Sequence, residues 1–181
     1  MIFIRKFAMP NADTLSIKPI GAWARRHLVG TSVDPFARNC NWATHTNDLN
    51  PDTSAQHHMD AEEFCLMLGG KGVMCDVAIF DPPYSPRQIS ECYQNVGREC
   101  GMRETQNAAL YKRVRNALDR IMKPNAVVLS FGWNSNGMGK GRGYEAFELL
   151  LVQHGGGHND TICIAERKIV LPDLFNKPEA A

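Results

Sequence analysis

Val77-Ala78-Ile79-Phe80-Asp81-Pro82-Pro83-Tyr84 decides how this chain is read. Four consecutive apolar residues make the kind of run that lies buried on both faces of a parallel sheet. Two prolines then stop it, because proline cannot donate to a strand ladder and holds φ near about −65°. Asp81 therefore falls at the carboxyl end of a buried strand, and in an open α/β sheet that end borders the crevice where ligands bind.

Working outward, residues 107–122 place Leu110, Val114, Leu118, Ile121 and Met122 on one helical face and are closed by Lys123-Pro124-Asn125. The apolar run 126–131 that follows predicts a further strand. Residues 144–154 read as a helix and 161–165 as a strand, joined through Gly155-Gly156-Gly157. On the N-terminal side, 19–28 predicts a helix with Pro19 in its first turn, and 31–33 a strand ended by Asp34-Pro35-Phe36. Residues 42–44 predict a short strand, and 59–68 a helix behind Asp60 that stops at Gly69-Gly70. The stretches 85–106 and 132–143 read as long loops. Strand and helix in alternation predict an α/β fold with a doubly wound, mostly parallel sheet, and a single domain over residues 1–181.

A chain of 181 residues has the size of one globular domain, and its net charge of +1 creates no global field, so contact with a polyanion must rest on local basic clusters. Six cysteines are scattered without CxxC spacing, which predicts reduced thiols in a cytoplasm. The longest apolar runs fall far short of the roughly 20 residues that span a bilayer, so no membrane partner is expected. His57-His58 and His154 with His158 lack a third defined ligand, and no metal site is expected.

Asp81 and the carbonyl of Pro82 offer two acceptors, the second fixed in direction by neighbouring prolines, and Tyr84 offers an aromatic face. The tetrapeptide Asp81-Pro82-Pro83-Tyr84 resembles the DPPY catalytic motif of amino methyltransferases that modify adenine at N6 or, less often, cytosine at N4. Other segments follow in the same order. Asp34-Pro35-Phe36-Ala37 looks like the start of the family's cofactor motif, Asn47-Asp48-Leu49 like its acid after the second strand, and Asp60-Ala61 like the segment contacting the cofactor adenine. Residues 13–20, with Ile17, Lys18 and Pro19, look like the N-terminal cofactor segment of small phage-type adenine methyltransferases. The matches cover most of the chain up to Ile89.

The resemblance implies a Rossmann-like fold without a separate target-recognition domain, S-adenosyl-L-methionine as cofactor, and methyl transfer to the N6 amine of an adenine extruded from DNA. It implies Asp81, Pro82, Pro83 and Tyr84 as the catalytic set, Asp48 on the cofactor ribose, Asp60 on the adenine amine, and Asp34 with Phe36 and Ala37 on the methionine side. Cytosine N4, adenine in RNA, and a non-catalytic nucleic-acid-binding subunit are the alternatives. Arg87, Trp133, Lys140 and Arg142 are candidate nucleic-acid contacts, and a bacterial or phage-infected cytoplasm is the expected setting. A monomer this small embraces little duplex, so either a homo-oligomer or a loose sequence preference is expected. One departure stands out: Ala37-Arg38-Asn39-Cys40-Asn41-Trp42 replaces the family's glycine-rich turn.

Overall fold

The computed structural model describes residues 1–97 and 107–169, the side chains of 107–110 aside. Its strands are β1 (Ile2–Phe7), β2 (Ser32–Asp34), β3 (His45–Thr46), β4 (Cys75–Phe80), β5 (Met122–Gly132), β6 (Tyr144–Gln153) and β7 (Thr161–Lys168). They form one seven-stranded sheet in the order β1-β6-β7-β5-β4-β2-β3. Pairing is parallel except at β7, which runs antiparallel between β5 and β6. The helices are α1 (Lys18–Arg25), α2 (Ala61–Gly70), α3 (Pro86–Asn95) and α4 (Asn107–Arg120).

β4 shows why the run Val77-Ala78-Ile79-Phe80 is apolar throughout. Side chains alternate across a strand, so Ala78 and Phe80 enter one core with Phe64, Leu68, Leu118 and Ile121 of the α2 and α4 side. Val77 and Ile79 enter the other, with Ile20, Trp23 and Ala24 of α1 and with Leu129 and Leu150. Both faces are sealed, and only the carboxyl end of the strand is open to a ligand.

Parallel neighbours are ordinarily joined through a crossover helix. Between β2 and β3, residues 35–44 contain none. Trp42 from this loop packs instead on α1, with the Arg25 guanidinium 4.0 Å from its ring centroid. Gly21 permits the approach, since a Cβ there would stand 2.5 Å from the Leu15 carbonyl oxygen and 3.1 Å from the Trp42 ring.

Four expectations need correction. Residues 144–154 are not a helix but β6 and its end. Their Glu, Ala and Leu favour helix locally, yet the segment lies between β1 and β7, where ladder pairing on both edges overrides propensity. The three glycines after it all have positive φ, at 66°, 56° and 82°, and close a strand-to-strand connection. Residues 86–95, read as loop, form α3, which Ser85 and Gln88 begin with a capping box and Pro86 in the first turn. The strand expected at 42–44 lies at His45–Thr46. β1 was not expected at all. Of the long stretch 85–106, residues 98–106 lie outside the described residues.

Candidate active site

Asp34, Thr46 and Phe80 end β2, β3 and β4 side by side, so the segments after them converge on one edge of the sheet. Asn47 holds these segments together. Fully buried, its amide nitrogen donates to the carbonyls of Pro35 (3.1 Å) and Met59 (3.0 Å), while Oδ1 accepts from the Met59 N–H (3.1 Å). Its own N–H donates to Asp34 O at 2.9 Å, and its carbonyl accepts from the Ala37 N–H at 2.8 Å.

The result is a cleft of about 470 Å³ lined by Pro35, Phe36, Asn47, Asp48, Leu49, Asp60 and Ala61 and also by Asp81, Pro82, Pro83 and Tyr84. A smaller cavity of about 210 Å³ adjoins it, sharing Thr14, Phe36, Arg38, Asn39 and Asp81, and is lined in addition by Asp34 and Ala37. The structure thus brings together all of the anticipated catalytic residues and most of the anticipated cofactor residues. Ile17, Lys18 and Pro19 line neither cavity: Ile17 is buried in the α1-side core, Lys18 is exposed, and Pro19 sits in the first turn of α1. Their upstream neighbours Ala12, Asp13 and Thr14 reach the cavities instead.

The carboxylates differ in environment. Asp48 accepts the N–H of Asn50 (2.9 Å) and that of Arg38 (3.0 Å), and still faces the cleft. An ionised carboxylate has about four lone-pair sites, so acceptor capacity remains for a pair of ligand hydroxyls. Asp60 caps α2 through Glu62 N–H at 2.9 Å, and its other oxygen accepts from the Tyr93 hydroxyl at 2.6 Å. Asp34, 2% exposed, accepts from the Phe36 N–H at 3.0 Å, and burial pushes its pKa well above the usual carboxylate range. Asp81 accepts a short hydrogen bond from the Tyr84 hydroxyl. Desolvation raises its pKa to about 6, opposed by the hydrogen bonds it receives.

Several residues that motif reading missed complete the site. Thr14 Oγ1 lies 3.1 Å from the Tyr84 hydroxyl. The Tyr111 hydroxyl of α4 donates to the Pro83 carbonyl, steadying the loop between the two prolines and Tyr84. Gln88, Ile89, Cys92 and Tyr93 of α3 wall the cleft. The signal for α3 was available in Ser85-Pro86-Arg87-Gln88, which carries both the capping pair and the first-turn proline.

Arg38 resolves the departure in the turn. It has φ of 49°, the left-handed conformation that glycine adopts freely. Its guanidinium donates to Ala12 O (2.7 Å) and pairs with Asp13 (3.0 Å), tying the turn to the N-terminal segment.

Of the anticipated nucleic-acid contacts, Trp133 is 44% exposed and meets the Tyr84 ring edge-on at 5.6 Å between centroids. Arg87 is exposed on α3 and paired with Glu91. Lys140 and Arg142 lie in a short 3-10 turn, Lys140–Arg142, and line neither of the two cavities. The loop carrying them is pinned, because the buried Glu166 carboxylate accepts from Met138 N–H and, at 2.9 Å, from Gly139 N–H. His154 is also tied into the fold, its ring nitrogens at 2.7 Å from Ala8 O and 2.8 Å from Thr161 Oγ1. Among the described residues no cluster of three or more His, Cys, Asp or Glu could hold a metal ion, and no helix is long and apolar enough to cross a membrane.

No protein-family model and no curated protein sequence matches the chain. Solved structures do match. TrmN from Thermus thermophilus is similar with a TM-score of 0.55 at 12% identity, over 86% of this chain and 50% of that one. SMU.776 complexed with SAH matches with a TM-score of 0.52 at 11% identity, over 76% of this chain and 44% of that one. NSun6 from Pyrococcus horikoshii with SFG matches with a TM-score of 0.51 at 12% identity, over 78% and 48%. The chain spans about half the length of these structures or less. At such identities the likeness establishes the fold alone, a Rossmann-like α/β fold shared with these structures.

Proposed function

We propose that this chain binds S-adenosyl-L-methionine and transfers its methyl group to the exocyclic N6 amine of adenine in DNA. The observation that carries the reading is Asp81-Pro82-Pro83-Tyr84 at the end of β4, where they line a ligand-sized cleft together with two further carboxylates.

The residues present fit the cofactor. Asp48 suits paired ribose hydroxyls as an acceptor, and Asp60 suits an adenine amine. Phe36 and Met59, both partly exposed, give the cleft apolar surface for a purine. Asp34, buried with one hydrogen bond, faces the smaller cavity, where a cationic group would satisfy it. When bound, S-adenosyl-L-methionine supplies a methyl group on a sulfonium, open to in-line attack.

The chain's own task is to make an aromatic amine nucleophilic. The nitrogen's lone pair is delocalised into the ring, so Asp81 and the Pro82 carbonyl each accept one N–H and favour a pyramidal nitrogen. The bound cofactor's S–C bond would break as the N–C bond forms, and the nitrogen's surplus proton would leave to Asp81 or to water. A base reaches such a pocket only when taken out of its stack, and the aromatic pair Tyr84 and Trp133 offers a surface on which it rests.

Calorimetric titration of S-adenosyl-L-methionine into wild type and Asp48→Ala tests the binding half, and mass spectrometry of adenine-containing DNA tests the transfer. Binding weakened by Asp48→Ala, with methylation abolished by Asp81→Ala, is the expected result. A wild type that binds no cofactor overturns the proposal.

A further inference from the structure

The two edges of the sheet are finished differently. Beyond β3, the chain returns and covers the strand: Asn47 bridges His57, the His57 N–H donates to Thr46 O and the Asp48 N–H to His57 O, each at 3.1 Å. Among the described residues β1, at the other end, is paired with β6 on one side only. Its residues are Ile2-Phe3-Ile4-Arg5-Lys6-Phe7, and Ile2, Phe3 and Phe7 are 60%, 56% and 68% exposed. An open strand edge rich in large apolar side chains is a template for another strand.

The order of charges along β1 selects its partner. A twofold axis normal to a sheet places a strand antiparallel to its own copy, and residues on the same face stand opposite each other. The axis must therefore pass through a residue. Centred on Arg5 or on Lys6, it would set like charges directly opposite, which is unfavourable. Centred on Phe3, it would leave Lys6 and Phe7 outside the paired stretch. Centred on Ile4, it pairs Ile4 with itself, Phe3 with Arg5, Ile2 with Lys6 and Met1 with Phe7. Every cation then meets an aromatic or aliphatic side chain, and no charge faces its like. Within one chain the Arg5 guanidinium already lies 5.9 Å from the Phe3 ring centroid, so the pairing extends an existing cation–aromatic contact across the axis.

We propose that β1 is a homodimer interface, in which two chains pair antiparallel about a twofold axis at Ile4 and their sheets become continuous. Arg5 and Lys6 reject the registers centred on themselves, and the shorter paired stretch disfavours the one centred on Phe3, which together fix this one. The axis lies at the edge of the sheet opposite β3, so both candidate active sites remain open in the pair.

Analytical ultracentrifugation of the full chain tests the proposal. Wild type sediments as a dimer at micromolar concentration. Phe3→Lys, an exposed substitution that sets two like-charge pairs across the axis, weakens dimerisation by about tenfold. Adding Arg5→Glu to Phe3→Lys restores it, because the pairs become opposite in charge. Ile4→Cys crosslinks two chains on oxidation far better than Ile2→Cys, since only a residue on the axis meets its own copy. Circular dichroism on each variant separates unfolding from dissociation. A monomeric wild type, a dimer indifferent to Phe3→Lys, absence of rescue by Arg5→Glu, or equal crosslinking at positions 2 and 4 each overturns it.

Discussion

The Tyr84 hydroxyl donates to Asp81 Oδ1, so the carboxylate proposed to receive the target amine is already holding a proton donor from its own motif. That bond lowers the Asp81 pKa against the desolvation that raises it to about 6. The ionised carboxylate is the stronger acceptor of an amine N–H and the form able to take its surplus proton, so kcat/KM for methyl transfer should climb as pH rises through about 6. Tyr84→Phe keeps the ring and removes the donor, which moves the acid limb to higher pH. A pH profile of kcat/KM for both proteins checks this, and an unmoved limb would separate Asp81 from the catalytic step.

The Asp34 carboxyl is buried with one hydrogen bond, from the Phe36 N–H, an arrangement that costs stability when the group must ionise. Its folded pKa lies well above the ordinary carboxylate value. The protonated form is thus favoured by folding, and that advantage is lost as pH rises. Asp34→Asn retains an acceptor for the Phe36 N–H and carries no charge. It should stabilise the protein by about 1–3 kcal/mol near neutral pH, with the gain shrinking toward zero as pH falls to the ordinary carboxylate range. Thermal melts across pH decide it. A stabilising substitution at such a position is expected where a site, not the fold, accounts for the residue.

Arg38 occupies the left-handed region at φ of 49°, where a Cβ is strained. Glycine ordinarily destabilises a position relative to alanine, and here the order should invert. Arg38→Ala loses the bonds to Ala12 and Asp13 and keeps the strain, whereas Arg38→Gly loses the same bonds and releases it. Arg38→Gly should therefore be the more stable of the two by about 1 kcal/mol. Urea unfolding of the pair measures the difference with the lost hydrogen bonds cancelled.

The legible parts of this molecule are those where local chemistry and tertiary position agree. β4 was readable because its stretch Val77–Phe80, sealed on both faces, must be apolar at every position. The cleft residues from Asp34 to Ala61 were readable because motif order follows strand order. β6 was not, since Glu145, Leu149, Leu150 and Leu151 carry helical propensity that two flanking strands override. β1 escaped because an edge strand exposed on both faces has no buried alternation to read. Thr14, Tyr93 and Tyr111 act through hydrogen bonds to residues 70, 33 and 28 positions away, which no short spacing announces.

Asn47 carries the geometry of the cleft, and its two neighbours in chemistry separate packing from hydrogen bonding. Asn47→Ala leaves the carbonyls of Pro35 and Met59 and the Met59 N–H without their side-chain partner, a loss of about 2–4 kcal/mol. Asn47→Asp preserves shape and can still accept from Met59 N–H, but when ionised it sets a carboxylate against two carbonyl oxygens. It should be destabilised at least as much as Asn47→Ala at neutral pH. In acid the protonated carboxyl regains a donor, so the aspartate variant alone should recover part of its stability as pH falls. Denaturant midpoints at neutral and acid pH test this. If the two variants respond identically to pH, the amide donors of Asn47 are not what hold the β2, β3 and α2 segments together.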